Sequence, residues 1–424
     1  MILLKELKKV KRRITYEKRL YNRNSLLYLL AIVFFYICNG AFSMLQGIYL
    51  KEAGMSEGFL GVILSVKTIT IALGAIPCAI IVSKIGKKKG LVIAMFIIPI
   101  TIILQGITSN NWIILLLSAM QGLVNAFIVV SEGPFLMENS NERTRLQLFS
   151  YVFSTNVFST MVGYFAFGSI SRTLEGVIGG VNSLRYSIIA SGVIGIFSAI
   201  FILKIKSVKE VNTKENTKDF IKHIIRLSLD KYPLRLLIYN SIIGFGAGLV
   251  VPYFNVYLKY KVNASTAQIG LIMALAQFAM GFGGLLTPAM SKKFGRVKTI
   301  NLCQIVSIPF LLLIALPPNL YIVAMALFMR NGLMNMSGPV VGTITMELIK
   351  GEERSMFASV NNIFSNVSRA ISTALGGIIM SSLPHGYEIP YIITAIMYII
   401  ATVVFHKSFS FLDYGVKAEK EIIV

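Results

Sequence analysis

Reactive and metal-binding side chains are scarce in this 424-residue chain, which has three cysteines, three histidines and one tryptophan. Cys38, Cys78 and Cys303 fall inside apolar runs without pairing or metal-ligand spacing. That excludes a disulfide framework and leaves them as small packing residues. His223, His385 and His406 lie in loops or at the ends of those runs and build no HExxH element, and no Gly-x-x-x-x-Gly-Lys-Ser/Thr phosphate loop occurs. The sequence therefore predicts neither an enzyme nor a bound cofactor or metal, and no ATP-driven step. Charge is also sparse, at 14% of residues, and one-sided: 19 acidic residues stand against 41 basic ones, a formal net charge of +22.

Apolar residues are abundant, at 55% of the chain, with a mean hydropathy of +0.71. Runs long enough to cross a hydrocarbon layer begin near Ser25, Gly58, Gly90, Trp112, Phe149, Ser183, Pro233, Thr266, Lys298, Leu320, Met356 and Pro390. Backbone groups in lipid must be satisfied internally, and these runs lack the alternation of barrel strands, so the spans are helices. The fold class is an all-α polytopic membrane protein with twelve transmembrane helices.

The spans repeat. Ser56, Gly61, Gly74, Lys84 and Gly86 recur as Ser265, Gly270, Gly283, Lys293 and Gly295. At the same offset of 209 residues, Gly133, Met137, Glu138, Arg145 and Ser150 recur as Gly342, Met346, Glu347, Arg354 and Ser359. A parallel duplication into two homologous six-helix bundles is the simplest account. The expected divisions are a basic segment at 1–24, a first half at 25–205, a middle loop at 206–232, a second half at 233–407 and a tail at 408–424. Leu3, Leu4, Leu7, Val10 and Ile14 among lysines and arginines read as a helix on a membrane surface or as a charged tail. Phe220, Ile224 and Leu227 in the middle loop offer a second interfacial helix.

The distribution of basic residues argues against nucleic acid as the partner. They cluster in the first 24 residues, in the middle loop, and after the second and eighth spans at Lys87, Lys88, Lys89, Lys292, Arg296 and Lys298. By the positive-inside rule both termini are cytoplasmic, in a multi-pass protein of the cell membrane. The same residues are expected to touch anionic lipid.

Six plus six helices in parallel repeat, with a local motif after the second span, resemble the major facilitator superfamily. Where that family carries Gly-x-x-x-Asp-Arg/Lys-x-Gly-Arg/Lys-Arg/Lys, this chain has Ala79, Ser83, Lys84, Gly86, Lys87 and Lys88, and its repeat has Lys292, Lys293, Gly295 and Arg296. The acidic residue is missing from both copies. Glu138-x6-Arg145 and Glu347-x6-Arg354 are similar to an element of the superfamily's sugar porters. The resemblance implies a cytoplasmic gate built from these residues, with charges that pair across it, or else plain helix-end salt bridges. The fourth span has Ser118 where the family usually has arginine, and the fifth lacks the Gly-Pro element of drug antiporters.

Lys67, Arg330 and Arg369 fall roughly 14 to 20 Å into a core about 30 Å thick. A charge at that depth costs at least about 2.5 kcal/mol on insertion scales and so faces water or a partner. Glu132, nearer the cytoplasmic end of the fourth span, is the one comparable carboxylate. The unpaired positive balance points to an anionic solute held by charge-assisted bonds, although pairing with Glu132, capping of carbonyls or snorkelling would also satisfy these cations. Asn362, Asn366 and Arg369 share one face of the eleventh span, Gln121, Asn125 and Glu132 one face of the fourth, and Asn39 and Gln46 one face of the first. The resemblance implies that the first, fourth, seventh and tenth helices line a central cavity. The expectation is a monomeric secondary transporter of a small anionic solute by alternating access, with Glu132 as a proton-coupling group. The alternatives are efflux of amphipathic drugs and a non-transporting receptor.

Overall fold

The computed structural model describes residues 22–206, 226–316, 319–350 and 353–413, so the interfacial segment expected over 1–24 and most of the one expected over 207–231 lie outside it. Each apolar run forms one long helix. The first half holds α1 (Arg23–Glu52), α2 (Glu57–Ile85), α3 (Lys87–Ile107), α4 (Asn111–Glu138), α5 (Glu142–Ile178) and α6 (Gly180–Leu203). The second holds α7 (Lys231–Val250), α8 (Thr266–Phe294), α9 (Arg296–Ala315), α10 (Leu320–Leu348), α11 (Arg354–Ser382) and α12 (Ile389–Phe409). Ten spans pass as membrane-crossing on length and composition alone. The other two, α5 and α10, are diluted by polar residues such as Glu142, Arg145 and Asn156, and Arg330, Asn331 and Asn335.

Helix ends follow local chemistry, and the duplication preserves them. Asn110 Oδ1 accepts the N–H groups of Trp112 and Ile113 at the start of α4. Its counterpart Asn319 accepts those of Tyr321 and Ile322 at the start of α10, each satisfying donors the helix cannot. Ser56 and Ser265 cap α2 and α8 in the same way. Gly86 and Gly295 turn the chain from α2 into α3 and from α8 into α9 at φ of 95° and 92°, values that glycine alone adopts without strain. The seventh span departs from its copy. α7 tightens into a single 3-10 turn at Val251–Tyr253, which contains Pro252, and resumes as Phe254–Tyr260, whereas α1 runs unbroken.

Packing obeys the repeat. In the first half α1 lies against α5 and α6, α4 against α2 and α3, and α3 against α6; in the second, α7 lies against α11 and α12, α10 against α8 and α9, and α9 against α12. Outward-facing positions such as Leu73, Leu116, Phe165 and Leu285 remain exposed, a lipid-facing apolar surface. The halves meet through α2 against α11 and α8 against α5.

Both crossings rest on one duplicated glycine pair. A Cβ on Gly377 would lie 3.0 Å from the Gly61 Cα, and a Cβ on Gly168 would lie 3.0 Å from the Gly270 Cα. Gly168 and Gly377 stand at the same 209-residue offset as Gly61 and Gly270. With no side chain between them, the backbones approach closely, as small residues allow in membrane helices. These crossings lie toward the face away from Arg23 and Phe409, here called the opposite face; the face that carries those two helix ends is the terminal face.

Candidate solute site

The interior cations separate into two environments. Arg330 on α10 is buried, with 4% of its surface exposed. It donates to the Tyr398 hydroxyl at 2.7 Å and to Asn331 Oδ1 at 2.9 Å, and its guanidinium lies over the rings of Phe254 and Tyr398. Its Nε–H has no partner. Arg369 on α11 makes no hydrogen bond or ion pair through its guanidinium among the described residues, and the groups that act on it are Tyr398 and the like-charged Arg330. Glycines on α7 bring this cluster together. A Cβ on Gly246 would press on the Tyr398 ring at 2.9 Å, and Gly248 lies against the Arg369 carbonyl.

Lys67 on α2 belongs to the first half, where its ammonium lies 5.3 Å from the centre of the Phe42 ring, a cation–π contact. Gly122 on α4 closes on the Lys67 carbonyl and so holds α2 near α4 at this level. Glu132 is part-buried and pairs with none of the three cations: it accepts the Tyr28 hydroxyl at 2.7 Å.

The polar stripes prove more local than their periodicity implies. Gln46 is buried and donates to Gln105 Oε1 at 3.0 Å, and Ser118 donates to the same oxygen. Together they join α1, α3 and α4 inside the first half. Gln121 is also buried, with neither side-chain polar atom partnered. It is the duplicate of Arg330. Asn39 donates back to the Phe35 carbonyl at 2.9 Å, and Asn366 bonds to the carbonyl and side chain of Asn362 one turn earlier. Asn125 is part-buried.

Two of the expected gate residues, Glu138 and Glu347, form ion pairs within their own halves at helix ends, the second of the two arrangements expected for them. Glu138 pairs with Lys87. In the duplicate, Arg296 donates to both oxygens of Glu347 at 2.6 Å. Both pairs tie the end of one helix to the start of another on the terminal face. Arg145 Nε is buried without a partner, and Arg354 donates to the Ile349 carbonyl at 3.2 Å. Lys293 lies over Phe294, while Lys84 and Lys87 line a basic cavity on the terminal face.

A latch between the halves, which the sequence did not reveal, closes the opposite face. Lys51 of α1 pairs with Glu57 of α2 and donates to the Tyr387 hydroxyl of the second half, which in turn donates to Glu57. The same ammonium lies 4.0 Å from the centre of the Tyr260 ring, and Tyr260 donates to Glu52 at 3.0 Å. Asn255, the duplicate of Gln46, donates to the Met44 carbonyl at 2.6 Å. Burial, and then the bond to Glu57, push the Tyr387 phenol above its ordinary range, so it stays protonated and donating through neutral pH. Tyr387→Phe removes both of these cross-half bonds and is expected to raise the rate of cysteine labelling at the opposite face by tenfold or more, in line with about 1 kcal/mol for each bond; an unchanged rate would deny the latch a part in closure.

Two duplicated six-helix bundles, joined at glycine crossings around unpaired interior charge, define a membrane transporter. The chain belongs to the Major Facilitator Superfamily, whose family model matches residues 27–239 and again 236–420. Among curated relatives it is 22% identical over 322 residues to a multidrug resistance protein MdtG of Serratia proteamaculans (strain 568), covering 74% of each chain. It is 20% identical over 378 residues to a protein of the same name from Escherichia fergusonii, covering 85% of this chain and 88% of the relative. Among solved structures, a bacterial homolog of the human lysosomal transporter Spinster, in an inward-facing and occupied conformation, superposes with a TM-score of 0.72 at 13% identity, covering 91% of this chain and 96% of that one. A D-xylose-proton symporter superposes at 0.71 and 13% identity, covering 90% and 96%. At such identity the structural likeness speaks to the fold.

Proposed function

We propose that the chain is a secondary active transporter of a small anionic solute that works by alternating access, as a monomer in the plasma membrane with cytoplasmic termini. The observation that carries this reading is Arg369, an interior cation whose guanidinium makes no hydrogen bond or ion pair among the described residues, with the buried Arg330 and its unpartnered Nε–H in the same half. An anion bound between them relieves their repulsion and engages donors now unused, at a dielectric where charge-assisted bonds are strong. Residues 25–205 and 233–407 are the rocking units. The described conformation is latched at the opposite face, so the solute enters and leaves from the cytoplasmic side in this state, as in the inward-facing Spinster homolog.

Glu132, part-buried beside Tyr28, is the coupling group in this reading. Its proton would be taken up and released as the cavity changes access. Glu132→Gln is expected to abolish uptake driven by a pH gradient while sparing solute exchange, and pH-driven uptake at the wild-type rate would exclude the role.

The test of the function is counterflow in proteoliposomes loaded with organic and inorganic anions, neutral sugars or lipophilic cations in turn. Saturable exchange of an anion supports the proposal. Exchange of lipophilic cations alone would favour drug efflux, in keeping with the relatives named multidrug resistance protein MdtG, and exchange of nothing would favour a receptor.

A further inference from the structure

A cluster of cations apart from the interior arginines lies on the terminal face of the first half. A cavity of about 300 Å³ opens there at the junction of α2 and α3. Lys84, Lys87, Lys88, Lys89 and Lys206 line it against one carboxylate, Glu138, which Lys87 already pairs. α3 begins at Gly86 with no side chain capping its first turn, so the partial positive charge of the helix end adds to that of the lysines.

The duplicated half supplies an independent indication of what fills such a place. α9 also begins after its glycine, Gly295, without a cap of its own. There Asp413, just beyond α12, turns its carboxylate onto the helix end and accepts the N–H groups of Val297 at 3.0 Å and Lys298 at 2.9 Å. The duplicates of these donors are Lys88 and Lys89, and the duplicate of Asp413 is Lys204. One half thus carries its own anion at this position, and the other carries a cavity ringed by cations. We infer that the first-half cavity binds a phosphate group, supplied by an anionic lipid headgroup or by free phosphate, in the position that Asp413 takes in the second half. A cavity of this volume admits a phosphate with its glycerol. The bound group would pin the turn between α2 and α3. The inference is independent of the interior arginines.

The experiment uses the full-length protein in phosphatidylcholine nanodiscs, with phosphatidylglycerol added in one arm and inorganic phosphate titrated in the other. Melting temperature and lipid retained through detergent extraction, counted by native mass spectrometry, are the readouts. A rise with phosphatidylglycerol alone identifies a lipid headgroup, and a rise with phosphate alone or with both identifies the phosphate chemistry without need of the lipid; each supports the site. The triple variant Lys88→Gln, Lys89→Gln, Lys206→Gln is expected to lose the rise and to retain at least tenfold less lipid. Lys206→Glu alone, whose backbone ties to Asn24 are untouched, should lose most of it. Arg172→Gln, an exposed position on the opposite face, should keep the full response. No rise with either anion, a triple variant that responds as wild type, or a response lost only in Arg172→Gln would each overturn the inference.

Discussion

Gly377→Val is expected to leave both six-helix bundles folded and to stop transport by holding the opposite face open. The added side chain meets the Glu57 carbonyl and the Gly61 Cα of the other half, the latter 3.0 Å from an ideal Cβ, and also the Tyr253 hydroxyl of its own half at 2.8 Å. Overpacking of this kind costs about 1–3 kcal/mol, and the share set by Glu57 and Gly61 falls on the closed conformation alone. At the upper end it shifts the balance between conformations by roughly 150-fold. A reporter pair is available, because a Cβ on Gly58 would lie 3.0 Å from Ser381 Oγ. Gly58→Cys with Ser381→Cys should cross-link readily in the parent and poorly once Gly377→Val is added, at a melting temperature close to the parent's. Gly168→Val, at the duplicated crossing, should act alike. Undiminished cross-linking would show that the crossing tolerates the side chain and does not set closure.

Arg369→Gln carries the second large effect. If its guanidinium supplies a charge-assisted bond to solute, its loss costs about 1.5–3 kcal/mol, or roughly 10- to 150-fold in Kd for the transported anion. The protein itself should be unharmed or steadier, since Arg369 gives up no hydrogen bond and Arg330 is freed of a like charge. Arg330→Gln makes the contrast. It strips a buried donor from Tyr398 and Asn331, so melting temperature and affinity should fall together. Wild-type anion affinity in Arg369→Gln would remove this residue from the site.

The architecture was legible because a duplication announces itself twice. The offset that aligns Gly61 with Gly270 also aligns the capping asparagines and the turn glycines, and each pair proved to do the same local work. Gly168 and Gly377 obeyed that offset too. A glycine in an apolar run, however, carries no sign of which neighbour it admits. Periodicity likewise places Gln46 and Gln121 on a face without naming the helix across from it, and burial puts both inside the first half. Glu138 was read as pairing across the gate or in a helix-end salt bridge, with no partner named, and it meets Lys87, 51 residues back. Such a pairing follows from antiparallel packing and not from spacing along one helix. The latch at Lys51 was hidden for the same reason, its partner Tyr387 in the other half being 336 residues away.

Three cations fixed inside a thin layer of low dielectric also make the carrier an electrical object. Each elementary charge moved through the full membrane potential is worth about 2.3 kcal/mol per 100 mV. When rocking transfers aqueous access from one face to the other, the voltage drop is redistributed around Lys67, Arg330 and Arg369 even if their side chains hardly move. If the solute is the anion proposed, the empty carrier turns over with that positive charge unbalanced, and the loaded one with part of it cancelled. Membrane voltage would then act chiefly on the return of the empty form and set the pace of the cycle.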